Sequence, residues 1–132
     1  MDEIIYPTIE EIEYYNTIAI ELFRKSKPDQ AKTIEQSYIS QALKKMQQHS
    51  GDLYDKAAVL LNELTYIHAF ESGNKRTAFL STKQFILKNE GKFNIYDTTD
   101  NARVMIGIRE KYYAQEELRE WIEHGTIRTF QR

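Results

Sequence analysis

Apolar residues recur at helical spacing along most of the chain, beginning close to its first residues. Thr8 and Glu11 form a Thr-x-x-Glu capping box, a pattern that predicts the start of a helix. The apolar positions that follow at helical spacing are Ile9, Ile12, Ala19, Leu22 and Phe23. Pro28, in the polar stretch "KSKPDQAKT", predicts the end of this first helix.

The second and third helices are predicted from two further amphipathic segments. Thr33 and Gln36 give a second capping signal. The apolar stripe after it consists of Ile34, Tyr38, Ile39, Ala42, Leu43 and Met46. "HSGD" at 49–52 interrupts this pattern, and a third helix is expected from about 53 to 67. Its inward residues are Ala57, Leu60, Leu61 and Leu64.

The remaining pattern predicts three more helices and therefore an all-α fold. A fourth helix is expected at 74–88, with Gly91 in the left-handed conformation just past its end. The apolar side of this helix consists of Ala78, Phe79, Thr82, Phe85 and Ile86. Alternation of Phe93 and Ile95 suggests a short extended piece, followed by helices near 99–110 and 115–123. We expect one helical bundle over residues 1–132, with at most a short β-hairpin or flap.

Composition narrows the setting of this fold. The 132 residues contain no cysteine, which is typical of a reducing compartment, and no apolar run approaches the length of a membrane span. The acidic first residues differ from the basic start of a secretory signal, so a cytoplasmic protein is expected. A net charge of −2 without a basic block argues against a nucleic-acid partner or a membrane surface.

The turn between the third and fourth predicted helices has the features of an anion site. A helix that begins at Asn74 has backbone N–H groups without intrahelical partners and a positive dipole end. Gly73 allows those N–H groups to converge, and the Asn74 side-chain amide is a further donor. Lys75 adds a point charge, and Arg76 adds a planar fork that matches phosphate oxygens. Together these residues predict a phosphate-binding turn.

His68 and Phe70 stand just before this turn. An imidazole titrates near neutral pH, so His68 is a candidate general base beside a bound phosphate. The alternative is a core histidine, since His68 lies four and seven residues after Leu64 and Leu61. Phe70 is predicted to be a buried anchor that holds the loop.

The stretch His68-Ala-Phe70-Glu-Ser-Gly73-Asn74-Lys75-Arg76 resembles the signature of the Fic/Doc family, His-x-Phe-x-(Asp/Glu)-(Gly/Ala)-Asn-(Gly/Lys)-Arg. The resemblance implies an all-α bundle whose motif loop binds a nucleoside triphosphate such as ATP. It also implies transfer of a phosphate-containing group to a hydroxyl of a target protein. His68 would be the general base, and residues 73–76 would bind phosphate.

In having lysine at position 75 the motif resembles that of the Doc branch, whereas AMP-transferring members of the family usually have glycine there. The resemblance to that branch implies a toxin that phosphorylates elongation factor Tu and is silenced by a small antitoxin partner. The polar segment Lys25–Lys32 stands roughly where the family has its target-docking flap. The nearest match to the family's inhibitory motif runs from Thr17 to Glu21 but is followed by Leu22, which favours an external inhibitor.

One position departs from the signature. Ser72 replaces the acidic residue that normally holds Mg²⁺, and a hydroxyl is a poor sole ligand for this cation. Either the phosphates of the nucleotide mainly hold the metal, or Glu71, one residue earlier, is the substitute metal ligand, or the enzyme is weakened or dead. Three hypotheses follow: a Doc-like phosphotransferase, a Fic-type AMP transferase, or a weakened phosphate-binding module.

Overall fold

The computed structural model describes residues 3–23 and 30–131, and the helices in this part of the chain form the predicted bundle. Their bounds are α1 Ile9–Phe23, α2 Gln36–Gln48, α3 Leu53–Tyr66, α4 Asn74–Lys88, α5 Thr99–Arg109 and α6 Gln115–His124. β-pairing among the described residues is limited to an isolated antiparallel bridge between Thr33 and Phe70. The all-α prediction is confirmed, while the predicted stop at Pro28 lies outside the described residues. None of these helices combines the length and the apolar content that a membrane span requires.

Helix α3 is the centre of the bundle. It packs against α2, α4, α5 and α6. An unbroken run of buried residues, 56–61, covers all of its sides, as expected of a helix that others surround. The predicted inward residues are buried, namely Ala57, Leu60, Leu61 and Leu64. The helix ends at Tyr66, so its C-terminal end presents His68 at one end of the bundle.

Helix α1 begins as its capping box predicts. The Thr8 backbone N–H donates to Glu11 Oε1 at 2.9 Å, and the Glu11 N–H donates to Thr8 Oγ1 at 3.1 Å. Ile12 and Ala19 are buried as predicted, but Leu22 is 69% exposed and the prediction for it is wrong. Leu22 stands in the last turn of α1, one residue before the helix ends.

The predicted start of the second helix is also wrong. Helix α2 begins at Gln36, and Glu35 rather than Thr33 occupies its N-cap. The Thr33 hydroxyl instead donates to Glu13 Oε2 at 2.7 Å. Ile34 and Tyr38 are 56% and 41% exposed. Ile34 lies before α2, where the chain is paired with the motif loop, so the helical stripe does not extend to it, whereas Tyr38 lies in the first turn of α2. The rest of the stripe is buried as predicted: Ile39, Ala42, Leu43 and Met46.

The end of α4 differs from its prediction in one detail. Glu90, with φ of 63°, takes the left-handed conformation that was expected of Gly91. Gly91 instead allows close packing of the chain at this point. A Cβ there would stand only 3.0 Å from Ile86 Cγ2 and from Leu53 Cδ2. The segment 92–98 forms no strand, and α5 and α6 follow close to their predicted bounds.

Candidate active site

His68 lies at the surface, just beyond the end of α3. Ile67 caps the helix in an extended conformation, with φ of −72° and ψ of 148°. Tyr66 and His68 are exposed, whereas Ile67 is half-buried and Ala69 is buried. The chain leaves the helix at Ile67, and the residues on either side of it, Tyr66 and His68, are both open to solvent. The alternative of a core histidine is wrong, because the helical stripe ends before position 68.

The imidazole of His68 is oriented toward the start of α4. Its Nδ1 lies 3.5 Å from Nδ2 of Asn74. An amide –NH₂ can only donate, so Nδ1 is the acceptor in this contact, and the neutral ring then has its proton on Nε2. The unprotonated nitrogen therefore faces the first turn of α4. At this length the contact is weak, and a hydroxyl group can replace it.

Asn74 fixes the loop between α3 and α4. Its Oδ1 accepts from the Phe70 backbone N–H at 3.0 Å, and its Nδ2 donates to the Phe70 carbonyl at 2.9 Å. The side chain of Phe70 is buried in the bundle. These two hydrogen bonds fix the position of the loop relative to α4. The Asn74 amide is thus engaged mainly with the loop, which leaves its backbone N–H at the start of α4 as its candidate donor to an anion.

The first turn of α4 is positive by both its backbone and its side chains. Gly73, the N-cap, has φ of 76°, and no side chain caps the helix. The first intrahelical bond there is from the Thr77 N–H to the Gly73 carbonyl at 2.9 Å, so residues 74–76 make up the helix start whose N–H groups can face an anion. This turn contains no acidic residue, and Lys75 and Arg76 are exposed. The arrangement fits a phosphate group.

Asn16 on α1 supports the same turn and was not identified from the sequence. It is 1% exposed, and its Nδ2 donates to the Ser72 carbonyl at 2.9 Å and to Thr77 Oγ1 at 3.0 Å. A signal did exist, since Asn16 lies within the apolar stripe, four residues after Ile12 and four before Ile20. A polar residue within such a stripe requires a buried partner.

We expect the substitution Asn16→Leu to lower the free energy of unfolding by about 1–3 kcal/mol. The leucine would leave the Ser72 carbonyl and the Thr77 hydroxyl without their shared donor inside the bundle. Urea unfolding followed by circular dichroism measures the change. Asn62→Leu on α3, the same substitution at a half-buried position, is the control and should have a much smaller effect. Equal losses in both variants would contradict this role of Asn16.

The segment before α2 borders the other side of the motif loop. The Ile34 N–H donates to the Ala69 carbonyl at 2.7 Å, and the Glu71 N–H donates to the Lys32 carbonyl at 2.9 Å. Most of the predicted docking segment Lys25–Lys32 lies outside the described residues. Its last residue, Lys32, is paired with the loop, so the segment reaches the candidate site.

The loop provides less for a metal ion than for a phosphate. Ser72 stands at the usual acidic position, and its carbonyl already accepts from Asn16. Glu71 is exposed, and its role as a metal ligand stays a prediction. Residues 3–23 and 30–131 contain no cluster of three or more histidine, cysteine or acidic side chains that could hold a metal. A Mg²⁺ ion held by the single carboxylate of Glu71 together with the phosphates of a bound nucleotide therefore stays a prediction.

The comparison with protein families agrees with the geometry of this loop. A model of the Fic/DOC family matches residues 6–86, which include α1, α2, α3 and most of α4. This match spans more than half of the chain, and the chain belongs to the Fic/DOC family. Members of this family generally transfer nucleotide or phosphate groups to proteins. No curated protein matches the chain significantly.

Proposed function

We propose that the protein is a Doc-like phosphotransferase, which moves the terminal phosphate of ATP to a hydroxyl group of a target protein. The observation that supports this function best is the position of His68, whose Nδ1 faces the positive first turn of α4. A base and an anion site side by side are what transfer of a phosphoryl group to a hydroxyl requires. Lys75 favours phosphate over AMP through the resemblance to the Doc branch.

The reaction begins when the target hydroxyl replaces the long contact between His68 and Asn74. Its proton passes to Nδ1 of His68, and its oxygen forms a bond with the terminal phosphorus. The bond between that phosphorus and the bridging oxygen breaks, and the electron pair leaves with ADP. The imidazolium then loses its proton to solvent. The reactants are ATP and the target hydroxyl, and the products are ADP, the phosphorylated target and one proton.

The residues of the α4 turn stabilise the charge on the transferring group. The backbone N–H groups of residues 74–76 are directed at the phosphate oxygens, and they need no reorganisation during the reaction. Lys75 and Arg76 neutralise negative charge, and Arg76 offers a two-point fork. Phe70 and Asn74 keep the loop, and with it His68, at the required distance. No step in this scheme is assigned to a metal ion.

We further propose that the protein acts as a toxin on a translation factor such as elongation factor Tu, and that a small antitoxin silences it. Two residues of α1 lie close to Gly73, since a Cβ on this glycine would stand 3.0 Å from Ile20 Cδ1 and 3.5 Å from Asn16 Nδ2. Glu21 is exposed, and the Thr17 hydroxyl donates to the Glu13 carbonyl. Because Leu22 follows Glu21 where the inhibitory motif has glycine or asparagine, an external inhibitor is the better proposal.

Intact mass spectrometry of a candidate target incubated with the protein and ATP tests the proposed reaction. Phosphate transfer adds about 80 Da and AMP transfer about 330 Da to the modified protein. Purified elongation factor Tu is the first target to try, with a heat-inactivated sample of the protein as control. A gain of about 330 Da would favour the alternative of an AMP transferase. ATP binding without any gain in the mass of the target would favour the third hypothesis, a weakened phosphate-binding module. The serine at position 72, where the family has an acidic residue, also favours this hypothesis.

We expect Ser72→Asp to raise the affinity for Mg²⁺ and the transfer rate. A carboxylate at this position can bind the cation directly, and residues that support a metal site typically contribute about 10–100-fold. The transfer rate as a function of Mg²⁺ concentration measures the effect. Ser50→Asp, at an exposed serine in the turn between α2 and α3, is the matched control and should change neither quantity. An unchanged high rate in Ser72→Asp would show that another ligand, with Glu71 the first candidate, already holds the metal.

A further inference from the structure

Two cations share one exposed tyrosine ring next to the candidate active site. Lys111 Nζ lies 4.0 Å and Arg109 Cζ lies 5.6 Å from the ring centre of Tyr66. All three side chains are exposed, with Tyr66 at 43%. We call these three residues the Tyr66 patch. Arg109 and Lys111 lie beyond residues 6–86, the part of the chain that the family model matches.

The two cations of the Tyr66 patch have no carboxylate partner at ion-pair distance within the described part of the chain. Neither Arg109 nor Lys111 forms an ion pair with a described residue. Arg109 stands in the last turn of α5, where a cation interacts favourably with the helix dipole. That effect explains one cation at this place, whereas two cations near the same ring repel each other. An added carboxylate would remove this repulsion.

The Tyr66 patch begins two residues before His68 in the chain. Tyr66, the last residue of α3, and His68 are both exposed, and only Ile67, whose backbone is extended, separates them. Two residues of extended chain span at most about 7 Å. A peptide bound in an extended conformation rises about 3.3 Å per residue. When its hydroxyl lies at His68, its residues two or three positions away therefore reach the Tyr66 patch.

The phosphate turn and the Tyr66 patch approach the end of α3 from different helices. The turn belongs to α4, whereas Arg109 ends α5 and Lys111 follows that helix; α4 and α5 both pack on α3. The attacking oxygen and the leaving oxygen must stand roughly in line across the transferring phosphorus. With the nucleotide on the α4 side, the target would then approach His68 from the side of α5.

We propose that the Tyr66 patch binds an acidic residue of the target protein, two or three positions from the hydroxyl that is modified. The carboxylate pairs with Arg109 and Lys111 above the ring of Tyr66. This inference rests on the proposed function, since it names the substrate class of the same site: a hydroxyl-bearing segment flanked by Asp or Glu. The patch thereby determines specificity, while His68 and the α4 turn perform the transfer.

Binding and transfer should be measured with the same peptides and with the full chain. The probe is a fluorescent decapeptide with one threonine and with Glu two and three residues away, on either side; its counterpart has Gln at those positions. We expect the Glu peptide to bind about tenfold more tightly in fluorescence polarisation, as two exposed charge pairs allow. Its NMR titration should shift the Tyr66 ring resonances, whereas ATP should shift those of residues 73–76.

The variant Arg109→Glu/Lys111→Glu should lose this tenfold preference and raise KM for the Glu peptide with kcat unchanged. Lys44→Glu/Lys83→Glu, with the same change in net charge at two exposed lysines, is the matched control and should retain the preference. The proposal is overturned if the two double variants behave alike, or if ATP alone shifts the Tyr66 resonances and displaces the peptide. An acidic peptide that binds at the patch but gains no mass would contradict the proposed transfer while supporting the docking of carboxylates.

Discussion

Replacing His68 with alanine is expected to lower the transfer rate by about 10²–10⁴-fold, the usual cost of removing a general base. The attacking hydroxyl would then have to give its proton to a solvent water, which is not held in a fixed position beside the phosphate as His68 is. Because His68 is exposed beyond the end of α3, its removal should change the free energy of unfolding by less than about 0.5 kcal/mol. The rate of mass gain of the target, measured beside thermal unfolding, tests both expectations.

His124→Ala is the matched control for this variant. His124 is also an exposed histidine, but it ends α6 and contacts Glu123 rather than the motif. The variant His124→Ala should transfer phosphate at the parent rate. If His68→Ala were as active as the parent, the proton would have another acceptor, and the proposed mechanism would be wrong. If both variants lost activity together, the cause would be general rather than the loss of this base.

Asn74→Ala should lower the transfer rate by about 100-fold while the chain still folds. The substitution removes both bonds to the Phe70 backbone and the contact to His68, so the loop is free to shift relative to α4. A displacement of about 1 Å of a catalytic group can cost about 100-fold. The unpaired Phe70 groups should also lower the free energy of unfolding by about 1–3 kcal/mol. Single-turnover transfer and urea unfolding measure the two effects.

Asn89 offers a close control for Asn74, because it clamps a backbone in the same way at the opposite end of α4. Its Oδ1 accepts from the Ile5 N–H at 2.7 Å, and its Nδ2 donates to the Ile5 carbonyl at 2.9 Å. Asn89→Ala should therefore lose a similar amount of stability and keep the parent transfer rate. Equal loss of transfer in both variants would mean that destabilisation, rather than the position of His68, limits the reaction.

Helix positions could be predicted well where periodicity and local signals agreed. The Thr8–Glu11 capping box requires only residues three apart, and the stripe of α3 requires only a repeat that every helix imposes. The prediction failed at Thr33 and Ile34 for a tertiary reason. Those residues have a helix-like pattern, yet their backbone pairs with Ala69 and Phe70, which are more than thirty positions away.

The sequence by itself determined that the chain is an all-α member of the Fic/DOC family and that a positive helix start follows His68. These features are local, because each depends on residue types within a few positions of one another. Only the tertiary structure decided that His68 is exposed with Nδ1 toward Asn74, that Asn16 supports the loop, and that the end of α5 and the residues after it bring two cations to Tyr66. Such contacts join residues far apart in the chain, and no local pattern specifies where separate helices will meet.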